Sequence, residues 1–250
     1  MSLNIVITGA SAGFGEAMTR RYVREGHRVV AIGRRQDRLA VLAQELGDAV
    51  FPLVLDVIDR AAVASLPERL PAGFTPDVLV NNAGLALGLK PAHQADLDDW
   101  ERMIDTNIKG LVYVTRALLP GMVERGRGHI VNIGSTAGEW PYPGGNAYGG
   151  TKAFVHQFSL NLRADLIGTP VRVTNIEPGL AGGTEFSLVR FHGDASKAQS
   201  VYDGTHPLSA DDIAEAVYWA TTLPAHVNVN TLQLMPVCQA FGPLAVHRER

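Results

Sequence analysis

Apolar positions along this chain come in short uninterrupted runs. Longer stretches lie between them, where apolar residues return every three or four positions. An apolar run buried on both faces reads as a strand of a parallel sheet, and a 3.6-residue period reads as an amphipathic helix. On that basis strands are expected over residues 3–8, 28–32, 50–55, 77–81, 129–133, 171–176 and 231–235. Helices are expected over 14–25, 36–46, 100–124, 146–167 and 211–222. Gly26 and Gly47 stand directly after the first two helices, where a left-handed residue ends a helix at least steric cost. Strands alternating with helices predict an α/β fold: a Rossmann-type doubly wound parallel sheet of about seven strands, in one domain over 1–250. No shift in composition and no internal repeat marks a second domain.

One segment breaks the rhythm. Residues 180–207 hold Gly182, Gly183, Gly193 and Gly204, with mixed polarity and no clean period. Long irregular segments in compact domains are often functional. This one follows the sixth strand, at the sheet edge where α/β folds bind ligands, so it reads as a substrate lid. A plain surface excursion is the competing reading.

Composition narrows the class. The chain of 250 residues is 46% hydrophobic and 19% charged, as an ordinary globular domain is. Its net charge of −3 is mixed along the chain, with no basic stripe for nucleic acid and no polybasic membrane segment. No apolar run approaches a membrane span. The single cysteine, Cys238, forms no internal disulfide, which fits a reducing compartment. The first strand begins without a basic or long apolar leader, and the expectation is a cytoplasmic protein. The expected partner is a small-molecule substrate, without nucleic acid, membrane or metal.

Two places carry chemistry. The first is Thr8-Gly9-Ala10-Ser11-Ala12-Gly13-Phe14-Gly15, which leaves the first strand and opens the first helix. Gly9, Gly13 and Gly15 let the backbone turn sharply and approach a pyrophosphate, and the helix N-terminus offers free N–H groups to it. Ser11, Ala12 and Phe14 complete that contact surface. The second strand runs into Gly33-Arg34-Arg35. An acid at this position would bind the ribose of NAD, whereas Arg34 and Arg35 suit the 2′-phosphate of NADP. Asp37 stands close by and could serve the NAD role. Asp56 follows the third strand, placed to reach an adenine. Asn81-Asn82-Ala83-Gly84 closes the fourth strand at the same edge, where its asparagines could also be simple turn formers.

The second place is Tyr148 with Lys152, four residues later and so on one helix face. Of six tyrosines, only Tyr148 is followed at that spacing by a lysine. An ammonium beside a phenol favours phenolate and lowers its pKa towards working pH, which suits proton exchange with a carbonyl or alcohol. A surface tyrosine near a surface lysine is the plainer reading of the pair alone.

Taken together, these motifs resemble the short-chain dehydrogenase/reductase family over essentially the whole chain. The resemblance rests on the 8–15 turn, Asn81-Asn82-Ala83-Gly84, Asn107, Ser135, Tyr148 with Lys152, and Pro178-Gly179. It implies that Tyr148 is the proton donor or acceptor and that Ser135 hydrogen-bonds the substrate oxygen. It implies that Lys152 tunes Tyr148 and holds the nicotinamide ribose, and that Asn107 retains a water linking Lys152 to solvent. Val57, Asn82, Pro178 and Gly179 join the NADP-binding set by the same resemblance. Residues 82–88, 133–138, 179–186 and 223–228 further resemble the bacterial NADP-dependent 3-hydroxy acid dehydrogenases within that family. That group acts on serine, allo-threonine and 3-hydroxyisobutyrate, reduces malonic semialdehyde, and forms tetramers. A carbonyl reductase of the same fold, or an NADP-sensing protein without turnover, are the alternatives.

Other residues stay open. Trp140 and Tyr142 are candidates to wall a substrate pocket. Arg190, in the lid, reads as a partner for a substrate carboxylate or as a solvated arginine. His156 reads as a helix-face or interface histidine. The apolar residues 241–246 are candidates to pack on a neighbouring subunit.

Overall fold

Seven parallel strands form one sheet in the order β3-β2-β1-β4-β5-β6-β7. They are β1 (Asn4–Thr8), β2 (Arg28–Gly33), β3 (Val50–Val54), β4 (Val78–Asn81), β5 (Gly128–Ile133), β6 (Val171–Pro178) and β7 (Thr231–Leu234). The computed structural model describes residues 2–242. Among the described residues ten α-helices connect or flank the strands: α1 (Gly13–Arg24), α2 (Gln36–Leu46), α3 (Arg60–Ala64), α4 (Leu66–Arg69), α5 (Leu97–Ile104), α6 (Leu111–Glu124), α7 (Asn146–Asp165), α8 (Phe186–Arg190), α9 (Ala195–Ser200) and α10 (Ala210–Thr222). Among the described residues no helix is long and apolar enough to cross a membrane.

The apolar runs are strands because both of their faces are covered. Ile5 and Ile7 pack with Met18, Tyr22, Ile213 and Val217 of α1 and α10, while Val6 between them packs with Val114, Leu118 and Leu162 of α6 and α7. Each such side chain contributes about 1.5–3 kcal/mol on full burial. The chain runs outward from β1 to β3, then returns to β4 on the other side of β1. That reversal opens a crevice at the C-terminal ends of β1 and β4, where ligands of open α/β sheets bind.

The fold departs from expectation at α3 and α4, which fall where no helix is expected, and in two further places. The helix expected over 100–124 is interrupted by a π-helical turn, Asp105–Gly110, between α5 and α6. The apolar period runs through it unbroken, so spacing does not reveal it; π turns inside helices gather at functional sites. Segment 180–207, read as irregular, contains α8 and α9. Both are too short to display a period. Within the apolar stretch 241–246, residues 243–246 lie outside the described residues; Phe241 packs on Trp140 with ring centroids 4.5 Å apart.

His129 has a pH consequence. It lies buried on β5, and its Nε2 hydrogen-bonds Thr174 Oγ1 of β6 at 2.8 Å. Burial pushes its pKa down to about 3, with the Arg172 charge adding to the effect. The unfolded chain therefore binds a proton below about pH 6.5 that the native state refuses, and stability falls as pH drops from there towards 3. His129→Phe removes that proton. Its urea-unfolding free energy is expected to decline less between pH 6.5 and 4, by about 1–3 kcal/mol. An unchanged slope would remove His129 from the acid limb.

Candidate active site

A cavity of about 670 Å³ runs along the C-terminal sheet edge, from the turn after β1 to the start of α7. At one end the turn bears Gly9 and Gly13 in the left-handed region, at φ +68° and +55°. A Cβ on Gly9 would meet Asn82 Nδ2 at 2.9 Å and Ala83 Cα at 3.0 Å, so a side chain is excluded there. Gly9, Ser11, Ala12, Gly13 and Phe14 line the cavity. The α1 N-terminus has no side-chain cap, which leaves its first N–H groups for an anion. Gly15 does not line the cavity. It lies behind the turn, where a Cβ would meet Asn82 Nδ2 at 2.7 Å, and it lets α1 pack close.

Arg34, Arg35, Asp56 and Val57 also line the cavity; Asp37 does not. Arg35 Nε donates to Ser11 Oγ at 3.2 Å, and its Nη1 pairs with Glu185 Oε2 at 2.7 Å. Arg38, on α2, meets the other oxygen of Glu185 at 2.9 Å. Arg35 first and then Arg38 hold the Glu185 carboxyl below its usual pKa, against burial that raises it. Arg34 is more exposed and only loosely paired, 3.9 Å from Asp56. A carboxylate of segment 180–207 therefore pairs with the arginine expected to read a phosphate.

At the other end α7 presents Tyr148 and Lys152 on one face, both buried. Ser135 follows β5. Its Oγ accepts from Ala137 N at 3.1 Å and donates to Pro178 O at 3.4 Å. Gly138 lets this turn lie directly on α7, since a Cβ would meet Lys152 C at 2.8 Å. Lys152 Nζ donates to Ile133 O at 2.7 Å. Asn82, Ser135, Pro178 and Gly179 line the cavity with Tyr148 and Lys152. Asn107 does not. It is buried behind, where its Nδ2 donates to Leu85 O at 2.8 Å and Thr151 Oγ1 at 3.0 Å, and its Oδ1 accepts from Leu85 N at 2.9 Å. Thr151 in turn donates to Tyr148 O at 2.8 Å. With both N–H bonds committed, the Asn107 side chain clamps the loop after β4 to α7.

Burial dominates the electrostatics of the pair. It pushes the Tyr148 pKa up to about 12, while the Ser135 hydrogen bond and then the Arg190 charge pull it down. Burial also pushes the Lys152 pKa down to about 8. The Tyr148 pKa thus lies above its usual value rather than below it. The shared helix face is as expected, but burial raises the pKa, and Ser135 and Arg190 rather than Lys152 pull it down.

Trp140, Tyr142 and Arg190 line the cavity. Asn81 does not: its Nδ2 donates to Thr115 and Asn132 inside the core, both at 2.9 Å. His156 pairs with buried Glu177 at 2.7 Å, away from the cavity. Arg38 and Glu185 were not foreseen. They lie far apart in sequence, and no motif joins them.

Comparison with known proteins agrees with this geometry. The family model described as short chain dehydrogenase matches residues 3–191. NADP-dependent 3-hydroxy acid dehydrogenase YdfG of Escherichia coli K12 is 63% identical over 246 residues, covering 98% of this chain and 99% of that protein. Serine 3-dehydrogenase of Agrobacterium fabrum is 51% identical over 250 residues, covering 100% of both chains. A solved closed form of serine dehydrogenase complexed with NADP+ is 62% identical, with a TM-score of 0.97, covering 99% of this chain and 100% of that one. A parallel sheet with its cavity at the switch point, a tyrosine–lysine helix face on that cavity and a family match from the first strand into α8 lead to one conclusion: the chain belongs to the short-chain dehydrogenase family and is an oxidoreductase.

Proposed function

We propose that the protein is an NADP-dependent dehydrogenase that oxidises small 3-hydroxy acids at the 3-hydroxyl, and reduces the corresponding semialdehydes in reverse. The observation that carries this reading is one continuous cavity, with a phosphate-type site at Gly9, Ser11 and Arg35 and a proton-transfer site at Ser135 and Tyr148. The candidate substrates are serine, L-allo-threonine and 3-hydroxyisobutyrate, with malonic semialdehyde in the reductive direction. The names of the similar dehydrogenases support this class.

The residues present fit NADP. The Gly9 cradle excludes any Cβ, the α1 N-terminus is uncapped, and Arg35 already holds a carboxylate where a 2′-phosphate would be read. Gly9, Ser11, Ala12, Gly13, Phe14, Arg34, Arg35, Asp56, Val57, Asn82, Pro178 and Gly179 would hold it. When bound, NADP+ supplies the hydride acceptor. Ser135 Oγ orients the substrate hydroxyl, and Tyr148 Oη takes its proton. Lys152, with its pKa near 8, is a cation at neutral pH that favours the phenolate once substrate and cofactor bring polar groups into the site. Asn107 and Thr151 keep α7 in register with the loop after β4.

Segment 180–207 acts in this reading as the substrate lid, tied down through Glu185 to Arg35 and Arg38. A homotetramer belongs to the same reading; Leu97 and Trp219 leave apolar surface open for subunit contacts. The test of function is kcat/KM with NADP+ for serine, L-allo-threonine, 3-hydroxyisobutyrate and simple secondary alcohols. A preference of at least about tenfold for the acids is expected. Equal or better turnover of the simple alcohols would favour the general carbonyl reductase, and no turnover at all would favour an NADP-sensing protein.

A further inference from the structure

Among the described residues, one guanidinium reaches the substrate end of the cavity without an acidic partner. Arg190 closes α8. Its Nη2 donates to Tyr142 Oη at 3.0 Å, and its Cζ lies 5.2 Å from the Tyr148 ring centroid and 5.1 Å from that of Phe186. Its Nε is buried and has no partner among the described residues. Among those residues no carboxylate forms an ion pair with it. A charged donor left unpaired in a buried site is costly, and such a group in a cavity wall points to a ligand.

The position of Arg190 is built. Gly88 N donates to Arg190 O at 2.9 Å, which ties α8 to the loop after β4. Two residues on, His192 meets Asp99 of α5 at 3.1 Å. The other cations on the cavity are otherwise engaged. Arg34 and Arg35 stand at the glycine-turn end, and Lys152 Nζ donates to Ile133 O. Lys152 and Arg190 both flank Tyr148 among the described residues, and of the two Arg190 alone offers a planar fork, with its Nε unpaired.

Substrate chemistry then selects its ligand. In a 3-hydroxy acid the carboxylate is two bonds from the carbon that carries the reacting hydroxyl. A cation that holds it must flank the proton-transfer tyrosine. The planar guanidinium offers a fork of N–H donors that matches a carboxylate. We propose that Arg190, oriented by the Tyr142 hydroxyl, is the anchor for the substrate carboxylate and the residue by which the site prefers 3-hydroxy acids over neutral alcohols. The proposal rests on the 3-hydroxy acid reading above. It adds a selection mechanism: a neutral analogue leaves the Arg190 donors unpaired and is rejected for that reason.

The experiment compares kcat/KM for 3-hydroxyisobutyrate and its methyl ester, with NADP+, in the wild type and in Arg190→Gln, Arg190→Lys and Tyr142→Phe. The Kd for NADP+ is measured alongside. The wild type is expected to prefer the acid by at least about tenfold. Arg190→Gln is expected to bring the acid-to-ester ratio close to one with the NADP+ Kd held within about threefold; any effect of the lost charge on Tyr148 falls on acid and ester alike and cancels in the ratio. Arg190→Lys, which keeps the charge and loses the fork, is expected to restore part of the preference, and Tyr142→Phe to weaken it less than Arg190→Gln does. An unchanged acid preference in Arg190→Gln overturns the assignment while leaving the 3-hydroxy acid reading intact. Equal losses on acid and ester overturn it too, by making Arg190 a packing residue. A wild type that uses acid and ester equally well overturns the 3-hydroxy acid reading itself.

Discussion

Replacing Tyr148 by phenylalanine is expected to lower kcat by about 10²–10⁴ while leaving NADP+ affinity nearly unchanged. The substitution is conservative in packing. The ring sits edge-on to Phe186, with centroids 5.8 Å apart, and is almost wholly buried, so phenylalanine keeps those contacts. What disappears is the Tyr148 hydroxyl, on the helix face it shares with Lys152, where the site would accept the substrate proton. Burial pushes the pKa of that hydroxyl up to about 12. The pH–rate profile of the wild type should therefore rise towards alkaline pH in the oxidative direction, because the base must first lose its own proton. Retention of more than a third of wild-type kcat at pH 7 in Tyr148→Phe would remove the tyrosine from the proton path.

The second large effect concerns the cofactor. Replacing Arg34 and Arg35 together by alanine is expected to raise KM for NADP+ by about 10–150-fold, the equivalent of about 1.5–3 kcal/mol for a charge-assisted contact to phosphate. KM for NAD+, which lacks that phosphate, should change little. Arg35 should account for most of the effect, since it is braced on Ser11 while Arg34 extends towards solvent. Glu185 sharpens the prediction. It pairs with Arg35 and Arg38 and so competes with a 2′-phosphate for the same donors. Glu185→Gln should tighten NADP+ binding and leave NAD+ binding as it was. Equal losses for both cofactors in the double alanine variant would show that these arginines do not read the 2′-phosphate.

The legible and the illegible parts of this molecule divide along physical lines. Strands β1, β2, β4 and β5 are plain in the sequence because each is covered on both faces and so reads as an unbroken apolar run. The glycine turn is plain because Gly9 has no alternative: any side chain there strikes Asn82. Tyr148 and Lys152 are plain because helical spacing alone puts them together. The π turn at Asp105–Gly110 is hidden, since one extra residue in a turn leaves the apolar pattern on either side intact. Gly15 and Asn107 belong to the recognisable motifs, yet neither faces the cavity. One gives room to α1, and the other clamps α7 through Leu85 and Thr151. The pairing of Glu185 with Arg35 and Arg38 joins segments far apart in the chain, which no local pattern reports. The tyrosine pKa is the clearest failure. Spacing identifies the neighbouring ammonium, but the larger influence is burial, and burial is a property of the folded whole.

The central claim is that hydride passes between the 3-carbon of a small hydroxy acid and NADP within this one cavity. Oxidation of 3-hydroxyisobutyrate deuterated at C3, with NADP+ as the acceptor and mass spectrometry of the reduced cofactor, tests it most directly. The NADPH formed is expected to carry one deuterium per turnover, and Tyr148→Phe to form almost none. Unlabelled NADPH from the deuterated acid, or no NADPH from any 3-hydroxy acid at neutral to alkaline pH, would contradict it.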